Sequence, residues 1–257
     1  MRVDSEQVKD FVRSEGADIV GIADAAHFPE SFPARPPQRL MPGATAVISF
    51  GTGMLRSILE IDNMHLYTGQ AKVVYHELTR IAYRTSRLLE KAGYRALAMP
   101  AEEPVEVSRE TRGMVGELSM KHAAIGAGLG VMGRSRVIVT PAFGPRVNLG
   151  AVITDAPLAA DAPLKEDFCT GCRVCIDACP VGALSEDMVV DTRKCVNHGA
   201  KYGLGSFIRF VNDLVTKTPE ERQKALRDPF FWNLYHDVSI GTSYQCASCL
   251  RDCPVGE

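Results

Sequence analysis

All eight cysteines of this 257-residue chain lie beyond residue 168. Cys169, Cys172, Cys175 and Cys179, followed by Pro180, spell C-x2-C-x2-C-x3-C-P. Cys195 stands alone, and Cys246, Cys249 and Cys253 follow, with Pro254 behind them. Thiolates in this number and order are iron ligands. Three cysteines separated by two residues each can wrap one cube on a tight loop, while the fourth points away and ligates the other cluster. The proline then stops the chain from continuing as helix. The spacing predicts two [4Fe–4S] clusters, one on Cys169, Cys172, Cys175 and Cys253, the other on Cys179, Cys195, Cys246 and Cys249. Zinc favours separate C-x2-C pairs. Disulfide frameworks belong to secreted domains, and the opening MRVDSEQVKD is no signal peptide.

The segments before the cysteines read as alternating helices and strands. Residues 4–14 form a capped amphipathic helix with Val8, Phe11 and Val12 on one face, and DIVGI (18–22) a short buried strand. Five prolines between 29 and 42 mark a surface crossing. TAVISF (45–50) is a strand, 70–92 a long helix stopped by Gly93, 94–99 a third strand and 117–127 a further helix. Two strands, 136–140 and 147–154, flank a turn at 141–145. This alternation argues for an α/β layer architecture. Two helices, 205–215 and 219–227, are expected in the excursion between Cys195 and Cys246.

The charge balance is even, 29 basic against 31 acidic residues, with no long basic run. It gives no electrostatic case for nucleic acid, so the expected substrate is a small molecule. No apolar stretch approaches the roughly 20 residues of a membrane span, and no twin-arginine leader is present. A cytoplasmic location without membrane contact is the expectation.

Gly128, Gly130 and Gly133 match G-x-G-x-x-G. A dinucleotide loop leaves a strand and opens a helix. Here KHAAIG before it reads as helix and RVIVT after it as strand, so the order is reversed. The glycines serve a helix C-cap and tight turn, and their small size would also admit a bulky ligand close to the backbone.

The segments AGLGVMGR (127–134), TPAFGPR (140–146) and LGAVITD (149–155), followed by the cysteines in this order, resemble the cobalamin-dependent iron–sulfur reductase superfamily. Epoxyqueuosine reductases and reductive dehalogenases are its members. The likeness extends upstream to RLMPGATAVI (39–48) and DIVGI. It implies a nitroreductase-like α/β core over 1–163 that holds a corrinoid. It also implies a two-[4Fe–4S] ferredoxin-like domain over 164–257, with a helical insertion at about 196–245. By position in the resemblance, Gly133, Arg134, Ser135, Ile138 and Leu149 would line the corrinoid. Those reductases bind cobalamin without a protein histidine on cobalt, in keeping with the absence of D-x-H-x-x-G here. Met114 stands where epoxyqueuosine reductases carry a proton-donating aspartate.

The resemblance implies a reductase fed by an external low-potential donor such as ferredoxin or flavodoxin. Glu117, Lys121 and Tyr75 are the candidate proton donors. Two other readings stay open: an electron-transfer protein or corrinoid activator without a substrate of its own, and a reductase that uses FMN.

Overall fold

Asp4 caps the first helix in both directions: its side chain accepts from the Gln7 N–H, and the Gln7 side chain accepts from the Asp4 N–H. A computed structural model describes residues 3–29, 35–61, 63–102, 105–106, 115–240 and 246–256. Helix α1 (Ser5–Ser14) buries Val8 and Val12, and Gly16 follows it at φ 112°. Strands β1 (Ile19–Asp24) and β2 (Ala46–Gly53), helices α2 (Arg56–Glu60) and α3 (Met64–Lys91), and strand β3 (Ala96–Met99) come next. The short strands β4 (Val105–Glu106) and β5 (Val115–Gly116) precede helix α4 (Met120–Gly126). Strands β6 (Val131–Met132), β7 (Ile138–Val139) and β8 (Val147–Thr154) follow.

Four strands pair antiparallel in the order β1-β2-β8-β3. Ile22 lies opposite Ile48, Ile48 opposite Val152, and Val152 opposite Ala98. Alternate side chains therefore leave by opposite faces. Ile22, Ile48, Phe50 and Val152 join Val8 and Val12 of α1 and Leu78, Ile81 and Leu89 of α3. Ala23, Val47, Ala151 and Ile153 join Ala123 of α4 on the other face. With helices on both faces, β8 is buried at all eight positions. Each fully buried side chain the size of Phe50 or Leu78 contributes about 1.5–3 kcal/mol.

The chain divides into two units. The first comprises Met1–Leu55, Lys72–Cys172 and Cys253–Glu257, and the second Arg56–Ala71 and Arg173–Asp252. This differs from one cut between 163 and 164. The tail after Cys253 belongs with the sheet because its backbone lies on the loop before β8: a Cβ added at Gly144 would meet the Val255 carbonyl oxygen at 1.9 Å.

The second unit is helical: α5 (Val174–Asp177), α6 (Thr192–Gly199), α7 (Leu204–Val215), α8 (Pro219–Arg227), α9 (Pro229–Tyr235) and α10 (Ser248–Arg251). Thr218 and Glu221 form a capping box on α8, and Asp191 and Asp228 cap α6 and α9. A run of aromatic contacts holds the excursion together. Phe210 stacks on Phe231 at 5.7 Å between ring centroids, and Tyr202 meets Phe230 at 5.4 Å. Among the described residues, no helix is long and apolar enough to cross a membrane.

Candidate iron–sulfur site

The second unit gathers the four cysteines assigned to the second cluster. Burial pushes the Cys249 thiol up to about 12, and Cys246, Cys195, Cys175 and Cys179 add to the shift, since neighbouring thiolates repel. Burial, then Cys246 and Cys179, raise Cys195 as well. In the first unit, burial raises the Cys253 thiol. The Val255 backbone and Arg146 oppose the rise, while Cys172 and Cys169 reinforce it. Cys175, the remaining cysteine of the first set, is buried and is grouped with the second unit.

All eight thiols are free of disulfides. Among the described residues, no three His, Cys, Asp or Glu side chains close into a set that could hold a metal ion. A four-iron cube spreads its sulfurs more widely than a tetrahedral zinc site does. Thiols with raised proton affinity become thiolates only when a metal takes the proton's place. The donor chemistry therefore fits iron–sulfur clusters.

Backbone N–H groups already point at two of these sulfurs. Arg134 N donates to Cys169 Sγ at 3.4 Å, and Ala183 N to Cys179 Sγ at 3.2 Å. Asp167 orders the entry to the run by accepting from Cys169 N at 3.0 Å.

Arg134 lies at the tip of the glycine segment. Helix α4 leads into it and the β6–β7 hairpin follows, with Val131 opposite Val139 and Met132 opposite Ile138. Gly133 N donates to Val137 O and Arg136 N to Gly133 O, both at 2.9 Å, which closes the turn. The order is helix then strand, as the sequence predicts. Glycine is required at two of these positions: a Cβ at Gly130 would meet Val139 O at 2.5 Å, and one at Gly133 would meet Val139 Cγ2 at 2.5 Å. The hairpin backbone and the Val139 side chain occupy the position that a side chain would take there.

Of the five residues assigned to a corrinoid, Gly133, Ile138 and Leu149 are buried. Ile138 and Leu149 pack in one apolar cluster with Ala124 and Val147. Arg134 and Ser135 keep partly exposed positions at the hairpin tip.

The three proton-donor candidates sit in different surroundings. Glu117 precedes α4 and is ion-paired with Arg39. Tyr75 is partly buried on α3 and packs against the first apolar cluster. Lys121 is half-buried on α4, and its Nζ donates to Arg136 O at 2.7 Å. Burial, then the charge of Arg136, pulls its proton affinity down. Beside it, His122 Nδ1 lies 2.6 Å from Ser119 Oγ. Burial, Lys121 and Arg136 keep that ring below the usual imidazole range. Neither His122 nor Arg146 is singled out by the sequence, although Arg146 closes the quoted segment 140–146. Met114 lies outside the described residues.

Residues 162–185 match the 4Fe-4S binding domain family. An epoxyqueuosine reductase from Bacillus cereus is 35% identical over 147 residues, covering 56% of this chain and 32% of that protein. A tetrachloroethene reductive dehalogenase from Desulfitobacterium hafniense is 34% identical over 116 residues, 44% of this chain and 18% of that protein. The chain thus spans at most about a third of these curated relatives. Two solved structures share its fold. One is an epoxyqueuosine reductase holding an epoxyqueuosine-modified tRNA stem loop (TM-score 0.58, 22% identity, 98% of this chain and 64% of that one). The other is a reductive dehalogenase described through B12-dependent dehalogenation (TM-score 0.58, 19% identity, 90% and 36%). The tRNA complex runs against the expectation that nucleic acid is an unlikely partner, because a protein of this fold holds a tRNA stem loop. In sequence the chain is similar to epoxyqueuosine reductases and reductive dehalogenases, it shares their fold, and it carries a match to the 4Fe-4S binding domain family.

Proposed function

We propose that the chain is a reductase that takes single electrons from an external carrier such as ferredoxin or flavodoxin and passes them through two [4Fe–4S] clusters to cobalamin. The observation that carries this reading is the 3.4 Å hydrogen bond from Arg134 N to Cys169 Sγ. It joins the hairpin tip assigned to the acceptor to the first cysteine of the cluster run, within one unit. When bound, cobalamin would supply a low-potential metal centre able to attack or reduce an organic substrate.

The chain's own residues contribute position and protons. The Arg134 and Ala183 N–H groups stabilise charge on the cysteine sulfurs, which raises a cluster's reduction potential. Arg134 and Ser135 would hold the acceptor at the hairpin tip. Lys121 is the favoured proton donor, because its lowered proton affinity brings an ammonium closer to neutral-pH transfer. Glu117 is engaged by Arg39 and Tyr75 by the core.

The test is anaerobic purification with cobalamin supplied, followed by metal analysis and electron paramagnetic resonance. About eight irons and one cobalt per chain are expected. Eight irons without cobalt would overturn the cobalamin assignment; a flavin absorption band would then favour the FMN reading, and neither chromophore the electron carrier. An epoxyqueuosine-modified tRNA stem loop and tetrachloroethene, assayed in parallel, separate the two substrate classes.

A further inference from the structure

Arg146 stands immediately before β8 in the first unit and reaches back to the tail that carries the last cysteine. Its Nη1 donates to the Cys253 carbonyl at 2.6 Å, and its Nη2 to the carbonyls of Val255 at 2.7 Å and Gly256 at 2.8 Å. Three carbonyls converging on one planar fork suit a guanidinium; the compact ammonium of lysine does not reproduce that geometry. A second observation is independent of the side chain. The tail backbone lies directly on the loop before Arg146: a Cβ at Gly256 would meet Gly144 N at 2.0 Å, and one at Gly144 would meet Val255 O at 1.9 Å. Both glycines adopt positive φ, 55° and 76°, where side chains are strained.

We infer that Arg146 is the positioning residue of the first cluster: by gathering the carbonyls of Cys253, Val255 and Gly256 it places the Cys253 sulfur for iron, and its charge favours the reduced cluster. The inference rests on the two-cluster reading above. The electrostatic half follows from elementary charge: reduction adds a negative charge, so a fixed cation nearby raises the potential. The segment 140–146 thereby acquires a role as the receptor for the tail.

The full chain is reconstituted anaerobically as wild type, Arg146→Gln and Arg146→Lys, and read by iron content and by redox titration of the paramagnetic signals. Arg146→Gln is expected to lose about half its iron, or to keep a first cluster whose midpoint moves to a more negative potential. Arg146→Lys keeps the charge without the three-way geometry. It should hold the wild-type midpoint while surrendering iron to a chelator faster. Metal-free protein gives a separate readout: carboxypeptidase should trim Arg146→Gln faster than wild type, with circular dichroism reporting the folded sheet. Should Arg146→Gln fail to fold, Arg146→Lys supplies the chelation and trimming comparison. Wild-type iron, midpoint and trimming rate in Arg146→Gln would overturn the inference alone. A wild type that takes up only one cluster would overturn the two-cluster reading, and the inference with it.

Discussion

Lys121 Nζ donates a 2.7 Å hydrogen bond to the carbonyl of Arg136, the residue whose φ of 61° turns the β6–β7 hairpin. One cation is thus half-buried next to another. Burial and Arg136 both depress its proton affinity below 10.5. The folded state therefore sheds this proton before the unfolded state does, and stability rises with pH between the depressed value and 10.5. Lys121→Met should be more stable than wild type at neutral pH, with the advantage shrinking as pH approaches that of free lysine. Thermal melts across this range check it; a pH-independent difference would sink the account.

Arg136 itself occupies a backbone region that costs an L-residue about 1–2 kcal/mol. Glycine removes that strain and gives back part of it in unfolded-chain entropy. Arg136→Gly should stabilise the protein by about 0.5–1 kcal/mol by denaturant titration. It should also raise the proton affinity of Lys121, because one of the two causes of its depression is gone.

Asp155 accepts from Arg95 N and Arg95 Nε, both at 2.8 Å. The side-chain bond to Arg95 holds its carboxyl below 3.8. A depressed carboxylate contributes stability above its unfolded value and loses it as pH falls through the folded one. Asp155→Asn should destabilise at pH 6, and the difference should shrink as pH falls below 3.8 and through the depressed folded value. A difference that persists in acid would assign the loss to packing.

Two glycines separate space from strain. A Cβ at Gly21 would meet Ala127 O at 2.2 Å, whereas at Gly69 on α3 nothing lies within 4 Å. Gly21→Ala should cost about 3 kcal/mol by forcing β1 away from the turn after α4. Gly69→Ala should gain about 0.5–1 kcal/mol in helix propensity. Equal effects at the two sites would contradict the packing described for the glycine segment.

Among the described residues between 173 and 240, only Cys175, Ala183, Ser206 and Leu234 are buried. So thin a core leans on bound metal, as in small metal-stabilised domains. Removing iron with a chelator should speed hydrogen exchange in α6–α10 while β1, β2 and β8 stay protected. Uniform protection in metal-free protein would show that the helices stand without iron.

The sheet unit was legible where local rules and burial agree. Asp4 caps α1, Gly93 follows α3 at φ 94°, and 147–154 is a strand buried along its whole length. Helix α8 appears with the expected bounds because Thr218, Pro219 and Glu221 announce it. Elsewhere the signal was weak. Helix α3 begins at Met64, six residues before its apolar periodicity is evident, because His65, Thr68 and Gly69 interrupt the stripe. Glu117, expected within a helix, lies before α4, whose N-cap is Ser119. The strand expected at 136–140 shrinks to Ile138–Val139, because Arg136 is spent on the turn. The first cysteine run was readable from spacing, and the 4Fe-4S binding domain match at 162–185 covers it. The hold of Arg146 on the tail was not, since it joins residues more than 100 positions apart through backbone carbonyls that any residue type would present.

The bond between Arg146 and the Cys253 carbonyl also sets an order of assembly during translation. Contacts between distant stretches form only after the later stretch has been made, and domains generally fold as units while synthesis proceeds. The strands from Ile19 to Thr154 leave the ribosome long before Cys253 does, so the first unit waits through the whole synthesis of the second, its receptor loop empty. The hydrogen bonds that Arg146 makes to the carbonyls of Cys253, Val255 and Gly256 therefore form last, after the sheet strands are already made.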